Sequence, residues 1–347
     1  MFDVPLACKA TATFRAEMPA NDEPWQLGLI VGPSGSGKST IARHVFGDAL
    51  YTGQAWPADR AVVDAFGDLP IKNITSLLTA VGFSSPPSWV KPYSVLSGGE
   101  RFRCDLARAL SAGCGAAQDA SSPPPLVAFD EFTSVVDRNV AQVGSAAVAK
   151  AIRGGQLRCR FVAITCHYDV AEWLAPDWIV DTATGLCQRR SLRRPEVRIE
   201  IFRCDRRAWQ LFVRHHYLNR ALSPMARCFL ATWRGVPVAF CATLPLIGRR
   251  KHWRITRIVT LPDYQGIGIG LRVVEAVAGL HRRQGDRINI TASHPAVLAH
   301  CAASPHWRTV QVLKSGARSA RRFIGNYRTS GGRAVASFEY LGGERGG

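Results

Sequence analysis

Residues 25–40, WQLGLIVGPSGSGKST, decide the fold of the first half of this chain. The first seven residues are mainly apolar and partly β-branched, which predicts a buried strand. The strand runs into the pattern G-x-x-x-x-G-K-[ST], whose backbone N–H groups wrap phosphates ahead of a helix. In such a loop Lys38 reaches the β- and γ-phosphates and the Ser39 hydroxyl binds Mg²⁺. The predicted phosphate-binding residues are Gly32, Ser34, Gly35, Ser36, Gly37, Lys38, Ser39 and Thr40.

A pair of acidic residues follows a second apolar run, PLVAFDEF, which ends at Asp130, Glu131 and Phe132. The pattern is typical of a buried strand that presents one carboxylate to a metal ion and a second to an attacking water. We therefore predict that Asp130 joins Ser39 in binding Mg²⁺ and that Glu131 is catalytic.

Three further motifs resemble those of ABC-type ATPases. The stretch VLSGGERFRCDLARAL places a four-residue motif at the start of an amphipathic helix, as in the family's signature motif. TSVVD, ending at Asp137, resembles the D-loop, and His167 in VAITCHYDV stands where the family has its switch histidine. The predicted signature residues are Ser97, Gly98, Gly99 and Glu100. The resemblance implies ATP as ligand and a homodimer in which each signature motif caps the partner's nucleotide.

The sequence also departs from the family pattern. The short segment between Lys38 and Ser97 predicts a small helical subdomain, which argues against a transporter subunit. Phe132 replaces the proline that follows the acidic pair, and only Asp64 offers itself for the family's Q-loop glutamine. Phe14 and Trp25 both remain candidates for stacking on adenine. These features favour an ABC ATPase that works on something other than a membrane partner.

A second glycine loop lies in LPDYQGIGIGLR, residues 261–272. The dinucleotide fingerprint G-x-G-x-x-G fails in both registers, because Leu271 or Val273 occupies its last position. The pattern Gln265-x-x-Gly268-x-Gly270 instead resembles the acyl-CoA motif of GNAT acyltransferases, [RQ]-x-x-G-x-[GA]. The surrounding order of two strands, a third strand, the loop, a helix and another strand also resembles that family over residues 198–345. The predicted CoA-binding residues of the loop are Gln265, Gly266, Ile267, Gly268, Ile269 and Gly270.

The resemblance to GNAT enzymes implies acyl transfer from acyl-CoA, most simply acetyl-CoA, to an amine. The strand before the loop supplies a backbone donor to the developing oxyanion, and Val259 and Leu261 are the expected donors. Proton transfer requires a titratable group near the acceptor. The candidates are His294 in TASHP, and His216 and Tyr217 in RHHYLNR.

Charge is distributed unevenly along the 347 residues, whose formal net charge is +18. Residues 1–187 contain 15 Lys and Arg against 18 Asp and Glu, whereas residues 188–347 contain 29 against 8. The excess of positive charge predicts binding to nucleic acid, through the basic tracts 248–254 and 317–323. Aromatic residues among the arginines are expected to stack on bases; they are Trp209, Tyr217, Trp253, Trp307, Phe323 and Tyr327.

Composition limits the class of protein. The sequence is 47% hydrophobic and 20% charged, as in ordinary globular proteins, and no apolar run is long enough to span a bilayer. We expect no membrane association and a cytoplasmic location. The HHYL stretch resembles phage Mom-type enzymes that modify DNA bases, and a phage protein would act in the host cytoplasm.

The sequence thus predicts an α/β protein with three segments. Residues 1–187 form a P-loop ABC-type ATPase domain, 188–197 a basic linker and 198–347 an α/β GNAT acyltransferase domain. The predicted function is ATP-coupled acyl transfer to an amine on nucleic acid, with DNA favoured over RNA. Two alternatives remain: an acetyltransferase for a protein or small-molecule amine, and an ATP-driven nucleic-acid clamp with an inactive GNAT domain.

Overall fold

Two β-sheets, one in each half of the chain, organise the protein. The computed structural model describes residues 17–19, 23–111, 123–189, 195–216, 220–313 and 335–342. Phe14, Tyr217, Phe323, Tyr327 and the basic tract 317–323 lie outside these residues.

The first sheet has six strands in the order β2-β3-β4-β1-β5-β6. Every neighbouring pair is parallel except β5 and β6. All five residues of β1 are buried, which accounts for its uninterrupted apolar sequence. The sheet extends to Arg189, two residues beyond the boundary predicted at 187. The strands are β1 Leu27–Val31, β2 Leu50–Tyr51, β3 Leu126–Phe129, β4 Arg160–Thr165, β5 Trp178–Asp181 and β6 Leu186–Arg189.

Among the residues that the structure describes, six α-helices accompany this sheet. They are α1 Lys38–Phe46, α2 Ile71–Ala80, α3 Pro86–Trp89, α4 Gly98–Leu110, α5 Arg138–Arg153 and α6 Val170–Leu174. α2 and α3 are the short helices between β2 and α4, where a small helical subdomain is predicted. Across the part of the chain that the structure describes, no helix is long and apolar enough to cross a membrane.

The second sheet has seven strands in the order β12-β13-β11-β10-β9-β8-β7. β10 and β11 are parallel, and the other neighbours are antiparallel. β8 turns into β9 at Arg234 and Gly235, both at positive φ. The strands are β7 Glu200–Cys204, β8 Arg227–Trp233, β9 Val236–Pro245, β10 His252–Thr260, β11 Arg287–Ala292, β12 Trp307–Leu313 and β13 Val335–Tyr340, with helices α7 Ile269–Arg283 and α8 Pro295–Ala303.

The two halves share an apolar core. Val143 and Ala146 of α5 and Trp173 of α6 are buried in the same cluster as the apolar face of the second sheet. The Trp173 ring meets the Trp233 ring edge-on, with 5.7 Å between their centroids. Because helices of the first half and the second sheet contribute to one cluster, the halves are packed together and are not merely tethered by a linker.

A buried carboxylate ties the far edge of the second sheet together. Glu339 of β13 accepts hydrogen bonds from Arg287 Nε at 2.6 Å and from Arg308 Nη2 at 2.6 Å. Its side chain is 5% exposed, so the two arginines are its main source of solvation. The hydrogen bond from Arg287 is the largest influence, and the pair of arginines lowers the pKa of Glu339 to about 2.

We predict that Glu339→Gln lowers the melting temperature at pH 7, because two guanidinium groups lose a charged acceptor. A carboxyl group with a depressed folded-state pKa stabilises above its unfolded pKa of 4.5 and ceases to do so as the pH falls toward 2. The difference in melting temperature between wild type and variant should therefore shrink over that range. Glu196→Gln, which removes the exposed partner of Arg198, is the matched control. A difference that stays constant with pH would contradict the prediction.

Candidate functional site

The phosphate loop lies at the end of the central strand of the first sheet. Gly37 adopts φ 84° and ψ 9°, a left-handed conformation that suits glycine, and α1 begins at the next residue. The ammonium group of Lys38 donates to the carbonyls of Gly32 at 3.0 Å and Pro33 at 2.7 Å. The lysine therefore lies against the loop whose backbone is predicted to hold phosphates.

The predicted magnesium ligands face each other. Ser39 Oγ lies 3.2 Å from Asp130 Oδ1, although the two residues come from α1 and from the end of β3. A hydroxyl and a carboxylate oxygen at this separation can both bind one cation, and both are oxygen ligands that Mg²⁺ accepts. These two residues therefore fit Mg²⁺.

The turn after β3 places Glu131 in an uncommon conformation. Its φ is 51° and that of Thr133 is 68°, in the left-handed region that non-glycine residues rarely adopt. Between them, Phe132 is fully buried, and its amide donates to Ile164 O at 2.8 Å. The aromatic side chain thus provides the anchor at the position where a proline is expected from the family.

His167 is held beside this turn, because its Nδ1 lies 3.2 Å from Thr133 Oγ1. Burial, and then the positive charge of Arg138, lower the pKa of His167 below its ordinary value of 6.5. The imidazole is consequently neutral at pH 7. The structure places His167 beside the turn that contains Glu131, whose carboxylate opposes the lowering of the histidine's pKa.

The signature residues form the start of α4. Ser97 is the N-cap residue, and its side chain and that of Glu100 form a reciprocal capping box. Burial favours a higher pKa for Glu100, but hydrogen bonds from the Ser97 amide and from the Ser88 and Ser97 hydroxyls hold the pKa below its ordinary value. Ser97 and Gly98 are exposed, so a partner can reach them. Both carboxylate oxygens of Glu100 accept hydrogen bonds that fix the conformation of the motif.

Asp137 performs the same task for α5. Its Oδ1 accepts from the amides of Asn139 at 2.9 Å and Val140 at 3.1 Å. The D-loop residue is therefore rigidly attached to the first turn of that helix. A displacement of the D-loop would therefore also move the first turn of α5.

The second sheet splits where the acyl-CoA loop is predicted. β10 pairs with β11 from His252 to Ile255 only, after which the two parallel strands separate. β10 itself carries an irregularity between Ile255 and Arg257 against β9. The split opens a gap between the end of β10 and the end of β11, in front of the N-terminus of α7.

The backbone donors predicted for this gap face the wrong way. The amide of Leu261 donates to Val238 O at 2.9 Å, within the sheet. Val259, paired with Phe240 two residues earlier, has the same orientation because antiparallel pairs alternate with a period of two. Both amides are used by β9, which contradicts their predicted role as oxyanion donors.

The irregularity in β10 explains this correction. A bulge between Ile255 and Arg257 shifts β10 by one residue against β9 and thereby exchanges the amides that face each side. The amides of Ile258 and Thr260 consequently point toward the gap. Thr260 O confirms this orientation, because it accepts from Gln265 Nε2 at 2.9 Å.

The acyl-CoA loop is fastened to the first domain by Gln265. Its Oε1 accepts from the amide of Ser84 at 3.0 Å, while its Nε2 holds Thr260 O. Gly266 packs against Gly82, and a Cβ added to Gly266 would lie 2.8 Å from Gly82 Cα. Gly82 is also at positive φ, so both positions favour glycine on two grounds.

Gly268 repeats the geometry of the phosphate loop. It adopts φ 97° and ψ 8°, and α7 begins immediately after it. A side chain on Gly270 would meet Thr260 Oγ1 at 2.7 Å. A loop without side chains at a helix N-terminus lets backbone amides approach an anion, as at Gly37.

A pocket of about 850 Å³ lies at this loop and is lined by both domains. The second domain contributes β10, the loop and the start of α8. The first domain contributes α2 with residues 84–86 and the last turns of α5. Lys72 and Lys150 are among the residues that the first domain contributes. No sequence motif marks either lysine as part of an acyl-CoA site.

His294 lines this pocket but has both ring nitrogens engaged. Nδ1 accepts from the Ala296 amide at 3.2 Å, so Nε2 carries the proton and donates to Ser84 O at 3.0 Å. Burial lowers the pKa of His294, and the hydrogen bond to Ser84 only partly offsets it. The arrangement argues against the predicted role of His294 in proton transfer, and favours one as helix cap and domain link.

His215 and His216 also line the pocket. Arg214 Nε donates to His215 Nε2 at 2.9 Å, and burial followed by the charge of Arg214 lowers the pKa of His215. His216 packs edge-on to Trp209, with 5.4 Å between the ring centroids. A role for His216 in proton transfer stays a prediction, and so does that of Tyr217.

Arg103 is a site residue that sequence reasoning missed. It is 1% exposed on α4, and its Nη1 donates to Gly99 O at 3.3 Å. Burial lowers its pKa, while the carboxylates of Asp263, Glu100 and Asp137 oppose that shift. The buried guanidinium of Arg103 therefore interacts electrostatically with Glu100 of the signature motif and with Asp137 of the D-loop. It also interacts with Asp263, which lies between β10 and the acyl-CoA loop.

The fold and site together define a two-part α/β protein. The parallel sheet with its phosphate loop is an ABC ATPase-like region, and the split sheet with its glycine loop is a GNAT-like domain. The fold class predicted from the sequence is confirmed.

Residues 194–300 match the model of the acetyltransferase (GNAT) family. The second half of the chain therefore contains an acetyltransferase domain of that family. A comparison of the chain with curated proteins found no match.

Solved structures resemble one half of the chain or the other. An ATP-bound bacterial Atm1-family ABC exporter is 18% identical over 48% of this chain and 34% of its own, with a TM-score of 0.37. The chain thus spans about a third of that exporter. The ribosomal-protein-S18-alanine N-acetyltransferase from Escherichia coli is 16% identical over 43% of this chain and 98% of its own, with a TM-score of 0.32. The ATP-binding cassette MJ0796 bound to ADP and Pi is 17% identical over 49% of this chain and 86% of its own, with a TM-score of 0.36.

We predict that His294→Ala lowers the free energy of unfolding by about 2 kcal/mol, because a helix cap and a buried hydrogen bond are lost together. Urea titration measures the loss. His294→Asn is the matched variant, since asparagine can cap α8 without reaching Ser84, and it should lose about half as much. Unchanged stability with a collapse of acyl transfer would show that His294 is a catalytic residue instead.

Proposed function

We propose that this protein hydrolyses ATP and uses its GNAT domain to transfer an acyl group, most simply acetyl, from acyl-CoA to an amine on DNA. The observation that carries the proposal is the pocket at the acyl-CoA loop, whose walls come from both domains. A protein in which the two activities were independent would not need the ATPase-like region to complete the acyl-CoA pocket.

ATP binding rests on the phosphate loop and its neighbours. Lys38 would neutralise the β- and γ-phosphates, and Ser39 and Asp130 would hold Mg²⁺, which would stabilise the negative charge of the phosphates. Glu131 orients the attacking water, beside a neutral His167. The exposed signature residue Ser97 then caps ATP held by a second copy of the chain, so the proposed active form is a homodimer.

Acyl transfer takes place in the gap of the second sheet. The acceptor nitrogen attacks the thioester carbonyl carbon, a C–N bond forms, and the C–S bond breaks as CoA thiolate leaves. The amides of Ile258 and Thr260 face the gap and can donate to the carbonyl oxygen as it gains charge. His216 takes the proton that the amine loses, and the CoA thiolate takes up a proton from solvent as it departs.

Nucleic acid is proposed as the acceptor because of charge. The second half contains 29 Lys and Arg against 8 Asp and Glu, and Arg249, Arg250 and Lys251 are exposed in the turn between β9 and β10. Such a surface neutralises phosphates. The resemblance of HHYL to Mom-type enzymes favours DNA, in a host cytoplasm if the protein is phage-encoded. ATP would drive engagement of the duplex and exposure of a base, which must leave the stack before chemistry.

Base stacking is not supported for three of the six predicted aromatic residues, and the other three lie outside the described residues. Trp209 and Trp307 are buried, at 6% and 5% exposure. Arg227 covers the ring of Trp253, with its guanidinium carbon 3.8 Å from the ring centroid. These three residues belong to the core or are already stacked, so among the described residues the proposed interface depends on phosphate contacts.

The test is transfer of radiolabel from acetyl-CoA to DNA, tRNA or bulk protein, with and without ATP. We expect label on DNA that requires ATP and is lost in Lys38→Ala. Gly268→Glu should reduce it about tenfold or more, because a side chain there is strained and its charge repels phosphate. Gly279→Glu, on the same helix but away from the loop, is the matched control.

The other outcomes discriminate between functions. Label on protein alone would favour an acetyltransferase for protein amines. Absence of label, together with ATP hydrolysis that responds to DNA and no affinity for CoA, would favour the ATP-driven clamp. Either result would contradict the proposal.

A further inference from the structure

Lys150 of the ATPase-like region projects toward the acyl-CoA loop. It lies in the last turn of α5, and its Nζ would be 3.2 Å from a Cβ built on Gly268. Gly268 is the residue whose left-handed backbone starts α7. The ammonium group is therefore next to the amides that an anion at this helix N-terminus would contact.

The pocket around Lys150 has a single sign of charge. Among the described residues that line it, Lys72, Lys150 and Arg257 are positively charged and none is Asp or Glu. Two of these three come from different elements of the first domain, α2 and α5. A pocket with this lining selects a polyanion, and its volume of about 850 Å³ is in the range of sites for cofactor-sized ligands.

CoA carries its negative charge on a pyrophosphate and on a 3′-phosphate. The helix N-terminus at Gly268 and Gly270 offers backbone amides and the positive end of a helix dipole, which suit the pyrophosphate. The backbone amides and the helix dipole compensate only part of the two negative charges that the pyrophosphate carries at neutral pH. An ammonium group next to the first amide of the helix supplies the remaining compensation.

We infer that Lys150 binds the pyrophosphate of acyl-CoA, so that the acyl-CoA site is made by both domains. The inference rests on the proposed function, because it assumes that acyl-CoA occupies this pocket. It adds a ligand-binding residue from outside the GNAT domain. It also joins the two sites through one helix, since Asp137 of the D-loop caps the other end of α5.

The test is isothermal titration of the full-length protein with CoA and with 3′-dephospho-CoA. We expect Lys150→Ala to weaken both ligands by a similar factor of about ten or more, because a charge-assisted contact to the pyrophosphate is lost. Lys150→Arg should retain most of the affinity. Arg282→Ala removes one positive charge from the exposed C-terminal end of α7, away from the pocket, and it should bind like wild type.

Each outcome has one meaning. Equal affinity of wild type and Lys150→Ala for CoA would overturn the inference while leaving acyl-CoA binding intact. A loss for CoA without a loss for 3′-dephospho-CoA would overturn the assignment to the pyrophosphate and move Lys150 to the 3′-phosphate. If wild type itself binds neither ligand, the proposed function fails first. Unchanged binding of an ATP analogue by Lys150→Ala confirms that the variant is folded.

Discussion

The contact between Gly82 and Gly266 is the constraint on which the arrangement of this protein depends. A Cβ on Gly82 would lie 2.7 Å from Gln265 O, and one on Gly266 would lie 2.8 Å from Ala147 Cβ. With no side chain at either position, the backbone of the acyl-CoA loop lies directly on the first domain. Gln265 then reaches the Ser84 amide, and the walls of the pocket close from both sides.

This contact gives a physical route between the two glycine loops. α5 packs into the shared core through Val143 and Ala146, starts at the D-loop and ends beside the acyl-CoA loop. From Asp137 to Lys150 the helix spans about 20 Å. Arg103 is a second group between these sites. Its buried guanidinium donates to Gly99 O of the signature motif, and the carboxylates of Asp263, Glu100 and Asp137 oppose the lowering of its pKa by burial.

Much of this protein could be predicted from the sequence because its motifs are local. The phosphate loop, the acidic pair and the strands and helix around Gly268 are each specified by a run of neighbouring residues, and they are found where predicted. Phe132 shows how a departure from a family pattern is accommodated: an aromatic cluster with Phe102, Phe129 and Phe161 anchors the turn in place of a proline.

The remainder depends on contacts between distant residues. Lys150 belongs to no motif, and its place in the pocket follows only from how α5 packs on the second sheet. The donors at Val259 and Leu261 were wrong because a one-residue bulge exchanges the amides that face the gap. His294 looked available in the sequence, yet the proline after it begins a helix that the imidazole caps. Trp209 and Trp307 were predicted to stack on bases because arginines surround them in the sequence. That composition does not show that both rings are buried.

The pocket shared by both domains predicts that the ATP site and the acyl-CoA site are thermodynamically linked through the domain junction. The most direct test is the dissociation constant of acetyl-CoA, measured by calorimetry with and without a saturating non-hydrolysable ATP analogue, followed by the reciprocal titration. Linkage requires the same factor in both directions, and coupling of about 1–3 kcal/mol corresponds to a change of about fivefold or more. Equal constants in the presence and absence of the other ligand would show that the two domains share a core without sharing their function.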